Sequence, residues 1–157
     1  MAHVRVDPQG LVFSSTAGRF EGSIRKWRGN DAVDCPIRIL LADDNYRVRP
    51  MLSKIISEAD PRWEVCAEVA NGQAAVEMAA ELKPDLVILD FAMPILDGIS
   101  AGRQIRAILP DVPLLLYTFI SSARIEQVAK EAGIHAVIEK ADFRKLVEEI
   151  RKLVAGS

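Results

Sequence analysis

The chain has 157 residues, 50% of them apolar and 27% charged, with a formal net charge of −2. That size and balance support one domain with a real hydrophobic core, and the lack of a basic excess argues against direct nucleic-acid binding. Two cysteines, Cys35 and Cys66, offer neither metal-ligand spacing nor a disulfide framework, which fits the cytoplasm, and the longest apolar stretch, 112–120, is shorter than the ~20 residues a membrane-crossing helix needs.

Residues 1–35 lack clear periodicity and mix Gly10, Gly18, Gly22 and Gly29 with isolated aromatics, so they read as an irregular N-terminal extension, idle or serving as a partner-binding arm. No secretory signal is legible there. From Ile37 onward, strand and helix patterns alternate through five βα units, which predicts a doubly wound α/β domain over residues 36–155. After a first strand from Ile37 to Ala42, Val48, Met51, Leu52, Ile55 and Ala59 follow helical spacing, with Pro50 in the first turn, where its missing N–H matters least.

Trp63, Val65, Ala67 and Val69 alternate with Glu64, Cys66 and Glu68, which predicts a strand with one dry face at the edge of the sheet. By contrast Leu86 to Leu89 and Leu114 to Leu116 are continuous apolar runs, as expected of central parallel strands covered on both faces. Asn71-Gly72, Asp97-Gly98, Ser121-Ser122 and Asp142 are the cap or turn residues predicted to open the second to fifth helices. The last helix carries Phe143, Leu146, Val147, Ile150, Leu153 and Val154 on one side. Its other side offers Lys145 with Glu149 and Glu148 with Lys152 at four-residue spacing.

The chemistry is concentrated where apolar runs end. The four runs stop at Asp43-Asp44, Asp90, Thr118 and Glu139-Lys140. In an open parallel sheet, ligands sit outside the carboxyl ends of the strands. Three clustered carboxylates repel one another unless a cation stands among them. Oxygen ligands without His or Cys point to Mg²⁺, with Mn²⁺ as a second choice. Lys140 adds a positive charge and Thr118 a hydroxyl, a set suited to a phosphoryl group bound beside the metal.

Asp43-Asp44, Asp90 followed by Met93-Pro94-Ile95-Leu96-Asp97-Gly98, Thr118 and Lys140 together resemble the signature of a bacterial two-component response-regulator receiver domain of the CheY-like superfamily. The resemblance covers residues 36–155. It implies a flavodoxin-like (βα)5 fold with a five-stranded parallel sheet in the order 2-1-3-4-5. It also implies that Asp90 accepts a phosphoryl group from a histidine kinase or histidine phosphotransfer protein, with Asp43, Asp44, Asp90 and the Ala92 carbonyl holding Mg²⁺. Lys140 would grip a phosphoryl oxygen and Thr118 would swing toward it. The signal would pass to a downstream protein through the fourth helix, fifth strand and fifth helix, with a homodimer as a further option. The chain is expected to lack an output domain of its own, and to catalyse nothing beyond its own Mg-dependent phosphorylation and slow dephosphorylation.

Taken singly, Asp44 and Asp97 could be helix caps, Thr118 a β-branched strand end and Lys140 a solvated loop charge; their joint occurrence at strand ends favours a phosphoacceptor. Three residues depart from the family's pattern. Val137 stands where receivers usually have an aromatic ring, Phe119 is bulkier than usual after the switch hydroxyl, and Ala141 replaces a frequent proline. Phe119 is expected to shield the phosphoryl group from water. His135, with no clustered partner, reads as an exposed loop residue. An aspartyl-phosphate phosphatase is disfavoured because Ala92 stands where its general acid would be, two residues after Asp90. The alternative kept is a receiver-like docking or dimerisation module that is never phosphorylated.

Overall fold

The computed structural model describes residues 35–155 and the backbone of residues 4–6 and 12–14. Two short strands, β1 (Val4–Val6) and β2 (Val12–Ser14), precede β3 (Ile37–Ala42), α1 (Val48–Ala59), β4 (Trp63–Val69) and α2 (Gly72–Leu82). Then follow β5 (Leu86–Leu89), α3 (Gly98–Ile108), β6 (Leu114–Thr118), α4 (Ala123–Glu131), β7 (Ala136–Glu139) and α5 (Phe143–Ala155).

The five strands from β3 onward pair in parallel in the spatial order β4-β3-β5-β6-β7, which is the predicted 2-1-3-4-5. β4 is the outermost parallel strand but not the edge of the sheet. β2 pairs with it antiparallel at Val12↔Glu68, and β1 pairs with β2 beyond. The edge expected at β4 is therefore moved outward at that position, where β2 covers the outer side of β4 beside Glu68. These two strands lie inside the segment read as irregular; the rest of residues 1–34 falls outside the described residues.

Period-two alternation divides the core into two layers. Leu40, Ala42, Val87, Leu89, Leu114 and Leu116 face the layer shared with α2, α3 and α4. Ile39, Leu41, Leu86, Ile88, Leu115 and Tyr117 face the layer shared with α1 and α5. Leu40, Leu86, Leu89, Leu114, Leu115 and Leu116 are wholly buried, as the continuous apolar runs require.

β4 breaks the expectation of a single dry face. Its register slips between Ile39↔Val65 and Leu40↔Ala67, so Cys66 is an extra residue with no partner on β3. Such a bulge reverses the alternation. Trp63 and Val65 thus pack with α1 and α5, while Ala67 and Val69 pack with α2. The Cys66 thiol donates to the Ile39 carbonyl at 3.4 Å across the slip.

The cap residues behave as predicted. Asn71 accepts from the Ala74 N–H, Asp97 from Ile99 and Ser100, Ser122 from Ile125, and Asp142 from Lys145. The charge pairing on α5 differs. Lys152 bonds Glu149 at three-residue spacing, 2.6 Å away, in place of the expected four-residue pair with Glu148. On α1, Met51 is 49% exposed, whereas Arg49 turns inward and is buried. Among the described residues no helix is long and apolar enough to cross a membrane.

Candidate functional site

The carboxyl ends of β3, β5, β6 and β7 are held level by main-chain bonds that continue the ladders past the strands. Asp43 N–H donates to Val69 O, Asp90 N–H to Ala42 O, and Lys140 N–H to Thr118 O, at 2.8 to 3.0 Å. These bonds carry the side chains of Asp43, Asp90, Thr118 and Lys140 to one edge of the sheet. A cleft of about 520 Å³ opens there, lined by Asp44, Asn45, Tyr46, Asp90, Ala92, Thr118, Phe119, Ile120 and Lys140.

Asp43, Asp44 and Asp90 each offer a carboxylate oxygen within 4.8 Å of the others. Asp43 and Asp90 are buried and Asp44 is exposed to the cleft. The buried Lys140 ammonium lies 2.5 Å from Asp43 Oδ2 and 3.1 Å from Asp90 Oδ2. It bridges two of the three carboxylates and leaves Asp44 without an ionic partner among the described residues. Burial pushes the Asp90 carboxyl above its ordinary range; the Lys140 contacts oppose that rise and the neighbouring Asp43 charge adds to it.

The donor set fits a hard divalent cation. Bonds of 2.0–2.1 Å place the oxygens of one octahedral magnesium shell about 3 to 4 Å apart, close to the spread seen here. Asp43 Oδ2 reinforces the fit, since it is buried and accepts no well-aligned hydrogen bond even though Lys140 lies beside it.

Several contacts in this region are not part of the expected set. Arg49 Nη1 donates to the Asp43 carbonyl at 2.5 Å, bracing the acidic loop from α1. Tyr117 O–H donates to the Lys140 carbonyl at 2.7 Å and so fixes the backbone from which the ammonium projects. Both had a signal in the sequence: Arg49 precedes Leu52 and Ile56 at helical spacing, and alternation turns Tyr117 away from the Leu116 face. The Phe119 ring is 73% exposed and lies 4.9 Å from Lys140 Nζ in a cation–π contact. Thr118 Oγ1 accepts from the Ile120 N–H at 3.3 Å.

Past Asp90, the loop is shaped by two exceptional backbone positions. Gly98 lies so close to Asp90 that a Cβ there would sit 2.0 Å from the Asp90 carbonyl oxygen. Ile95, 80% exposed, has φ of 72° and centres a tight turn in which Leu96 N–H donates to Pro94 O. Asp97 is spent on capping α3. His135, exposed in the loop before β7 as expected, accepts the Leu114 N–H on Nδ1 at 3.1 Å.

The pattern of the response regulator receiver domain family matches residues 39–151. The chain belongs to that family. This receiver is 44% identical over 99 residues to a protein-glutamate methylesterase/protein-glutamine glutaminase of Vibrio cholerae, a match covering 62% of this chain and 26% of the relative. A corresponding protein of Photobacterium profundum is 40% identical over 99 residues, covering 62% and 25%. The matches to such curated relatives span between 23% and 38% of their length. Among solved structures, a two-component response regulator of the LuxR family from Aurantimonas sp. superposes with a TM-score of 0.73 at 33% identity, covering 77% of this chain and 86% of that one. The response regulator domain of Thermotoga maritima CheB gives 0.67 at 30% identity, covering 76% and 95%.

Proposed function

We propose that this receiver takes a phosphoryl group onto Asp90 from a phosphohistidine on a histidine kinase or phosphotransfer protein, and that its acidic cluster holds Mg²⁺ (or Mn²⁺) for the purpose. The observation that carries this reading is the convergence of Asp43, Asp44 and Asp90 within 4.8 Å, with Lys140 bridging two of them. Membership of a family that signals by phosphorylation supports it.

An Asp90 carboxylate oxygen forms the new bond to phosphorus while the P–N bond to the donor imidazole breaks, the bonding pair leaving with the ring nitrogen. Asp43, Asp44, Asp90 and the Ala92 carbonyl would hold the metal, whose contribution is to offset negative charge on the carboxylates and on the transferring group. Lys140 gives up part of its pairing with Asp43 and Asp90 to a phosphoryl oxygen. The Thr118 hydroxyl, now an acceptor for Ile120 N–H, donates to another and draws the 119–122 loop with it.

That rearrangement biases two states of the α4-β7-α5 face, where Arg124, Gln127, Lys130, His135, Arg144, Lys145 and Glu148 are all exposed, and a downstream protein or a second copy reads the difference. The setting proposed is the cytoplasm, and these residues are assigned phosphoacceptance without turnover of a separate substrate. The test is incubation with acetyl phosphate and Mg²⁺, followed by intact-mass measurement. Wild type should gain the mass of one phosphoryl group, a gain prevented by excess EDTA and lost in Asp90→Asn. Labelling that persists in Asp90→Asn overturns the assignment, and no labelling of wild type favours the unphosphorylated docking module.

A further inference from the structure

Away from the acidic cleft, α3 and α4 flank a groove of about 420 Å³ lined by Phe91, Asp97, Ile99, Ser100, Arg103, Arg124, Ile125 and Val128. Its floor is apolar: Ile99 is buried, and Phe91, Ile125 and Val128 pack against the core. Its rim carries two cations from opposite walls. Arg103 and Arg124 are both exposed, and neither makes a side-chain hydrogen bond or ion pair with another described residue. The one carboxylate present, Asp97, does not answer them. Its Oδ1 accepts from Ile99 and Ser100 N–H, and its Oδ2 from the Ser100 hydroxyl at 2.6 Å.

We propose that this groove is a second binding site, for a small anionic amphiphile, and that its occupancy is coupled to the state of Asp90. An apolar body would fill the floor while a carboxylate head meets the two guanidiniums, which suit planar anions. The volume lies in the range of small-molecule clefts. A protein partner would need about 800 Å² of surface on this side, yet the large exposed apolar residues, Tyr46, Met51, Ile95, Ile108, Phe119, Ile120 and Phe143, line none of it. The groove is a recess in a polar surface.

The coupling follows from chain continuity and rests on the reading of Asp90 as phosphoacceptor. Phe91 in the floor directly follows Asp90, its carbonyl accepts the Gly98 N–H at 2.9 Å, and Gly98 abuts the Asp90 carbonyl. A body wedged against Phe91 and Ile99 therefore bears on the same nine-residue segment, 90–98, that must adjust when Asp90 is modified. Linkage makes the effect reciprocal.

Sodium decanoate titrated into the ¹⁵N-labelled full chain tests the site. Saturable amide shifts are expected at Phe91, Ser100, Ile125 and Val128. The Arg103→Gln/Arg124→Gln double variant should bind about tenfold more weakly, since two exposed ion pairs, each individually weak, are lost together, while keeping the wild-type spectrum elsewhere. Uncharged 1-decanol should bind as weakly to wild type as decanoate does to the variant. With beryllofluoride and Mg²⁺ standing in for the phosphoryl group, the decanoate affinity should change by about fivefold. Shifts centred instead on Tyr46, Ile95 and Phe119, or a decanoate affinity unmoved by the double variant, would overturn the site. An affinity insensitive to beryllofluoride would overturn the coupling. Decanoate binding with no Asp90 labelling from acetyl phosphate would sink the phosphoacceptor reading and the coupling that rests on it while leaving the groove, and the reverse pattern would sink the groove and leave the phosphoacceptor reading.

Discussion

Lys140 is the side chain on which the resting cleft depends. Removing one partner from a buried ion pair leaves the other charge uncompensated and costs about 3–5 kcal/mol. Lys140→Met should therefore lower the thermal midpoint markedly without divalent cation, and millimolar Mg²⁺ should restore part of the loss; calorimetry with and without Mg²⁺ measures both. Asp90 has the opposite sign. Its carboxyl is raised in the folded state, chiefly by burial, so the stability it contributes is present at low pH and is lost as pH rises past the ordinary carboxylate value of 3.8. At neutral pH Asp90→Asn should accordingly melt higher than wild type in EDTA, and the gain should shrink as Mg²⁺ is added. Phe119 adds a kinetic prediction. A cation–π contact at an exposed site is worth about 0.5–1 kcal/mol, or a factor of about 2–5 in rate. Phospho-Asp90 in Phe119→Ala should hydrolyse faster by about that factor, read from the decay of the intact-mass signal, and an unchanged lifetime would remove the shielding role.

Elements differ in how plainly the sequence announces them. The central strands were legible because burial on both faces leaves no polar position, and four of the helix starts because each cap is a short polar side chain just ahead of an apolar period. The bulge in β4 was not legible. Alternation in Trp63, Val65, Ala67 and Val69 is intact in the chain, and only pairing with β3 reveals that Cys66 is skipped. The inward turn of Arg49 was hidden by its charge, although its spacing marked it. In the site, the acidic pair, Asp90 and Lys140 were legible from strand ends, whereas Tyr117 acts through a main-chain carbonyl that no motif records. Gly98 sits where α3 begins and where Asp90 needs room. Gly98→Ala drives a methyl group into the Asp90 carbonyl, and overpacking of this kind costs about 1–3 kcal/mol. The variant should melt lower and label more slowly with acetyl phosphate, whereas Gly102→Ala, which meets side-chain atoms alone, Ile134 at 3.1 Å and Leu89 at 3.6 Å, should label normally. Where β6 and β7 begin, His135 is held below its usual range by desolvation of its ring and by the Arg106 charge. Its neutral form is favoured in the folded state. The stability it contributes is therefore present above pH ~6.5 and declines as pH falls below that value; His135→Asn should flatten this part of the stability profile in urea melts.

At the scale of the whole molecule, chemistry and anchoring sit at opposite ends of the sheet. Below the cleft, Arg62 bonds both carboxylate oxygens of Asp60, and Arg151 ties the end of α5 to the Ala59 carbonyl while its guanidinium stands 5.5 Å from the centre of the Trp63 ring. The bonds from Arg62 hold Asp60 at about 2, so its contribution is present above the ordinary 3.8 and vanishes as pH falls from there toward 2. Acid unfolding of Asp60→Asn should accordingly be shallower in that window than that of wild type. Between the two ends lie the two apolar layers, and a single slip decides which layer the far half of β4 feeds. Position 66 consequently matters as a count before it matters as a thiol. Exchange of Cys66 for Ser or Val keeps the tally of residues and should leave a native fold; deletion of that one position would let Ala67 follow Val65 in an unbroken ladder and keep Ala67 and Val69 on α2, and only a ladder that counted Cys66 would turn them toward α1 and α5 and strip the covering from α2.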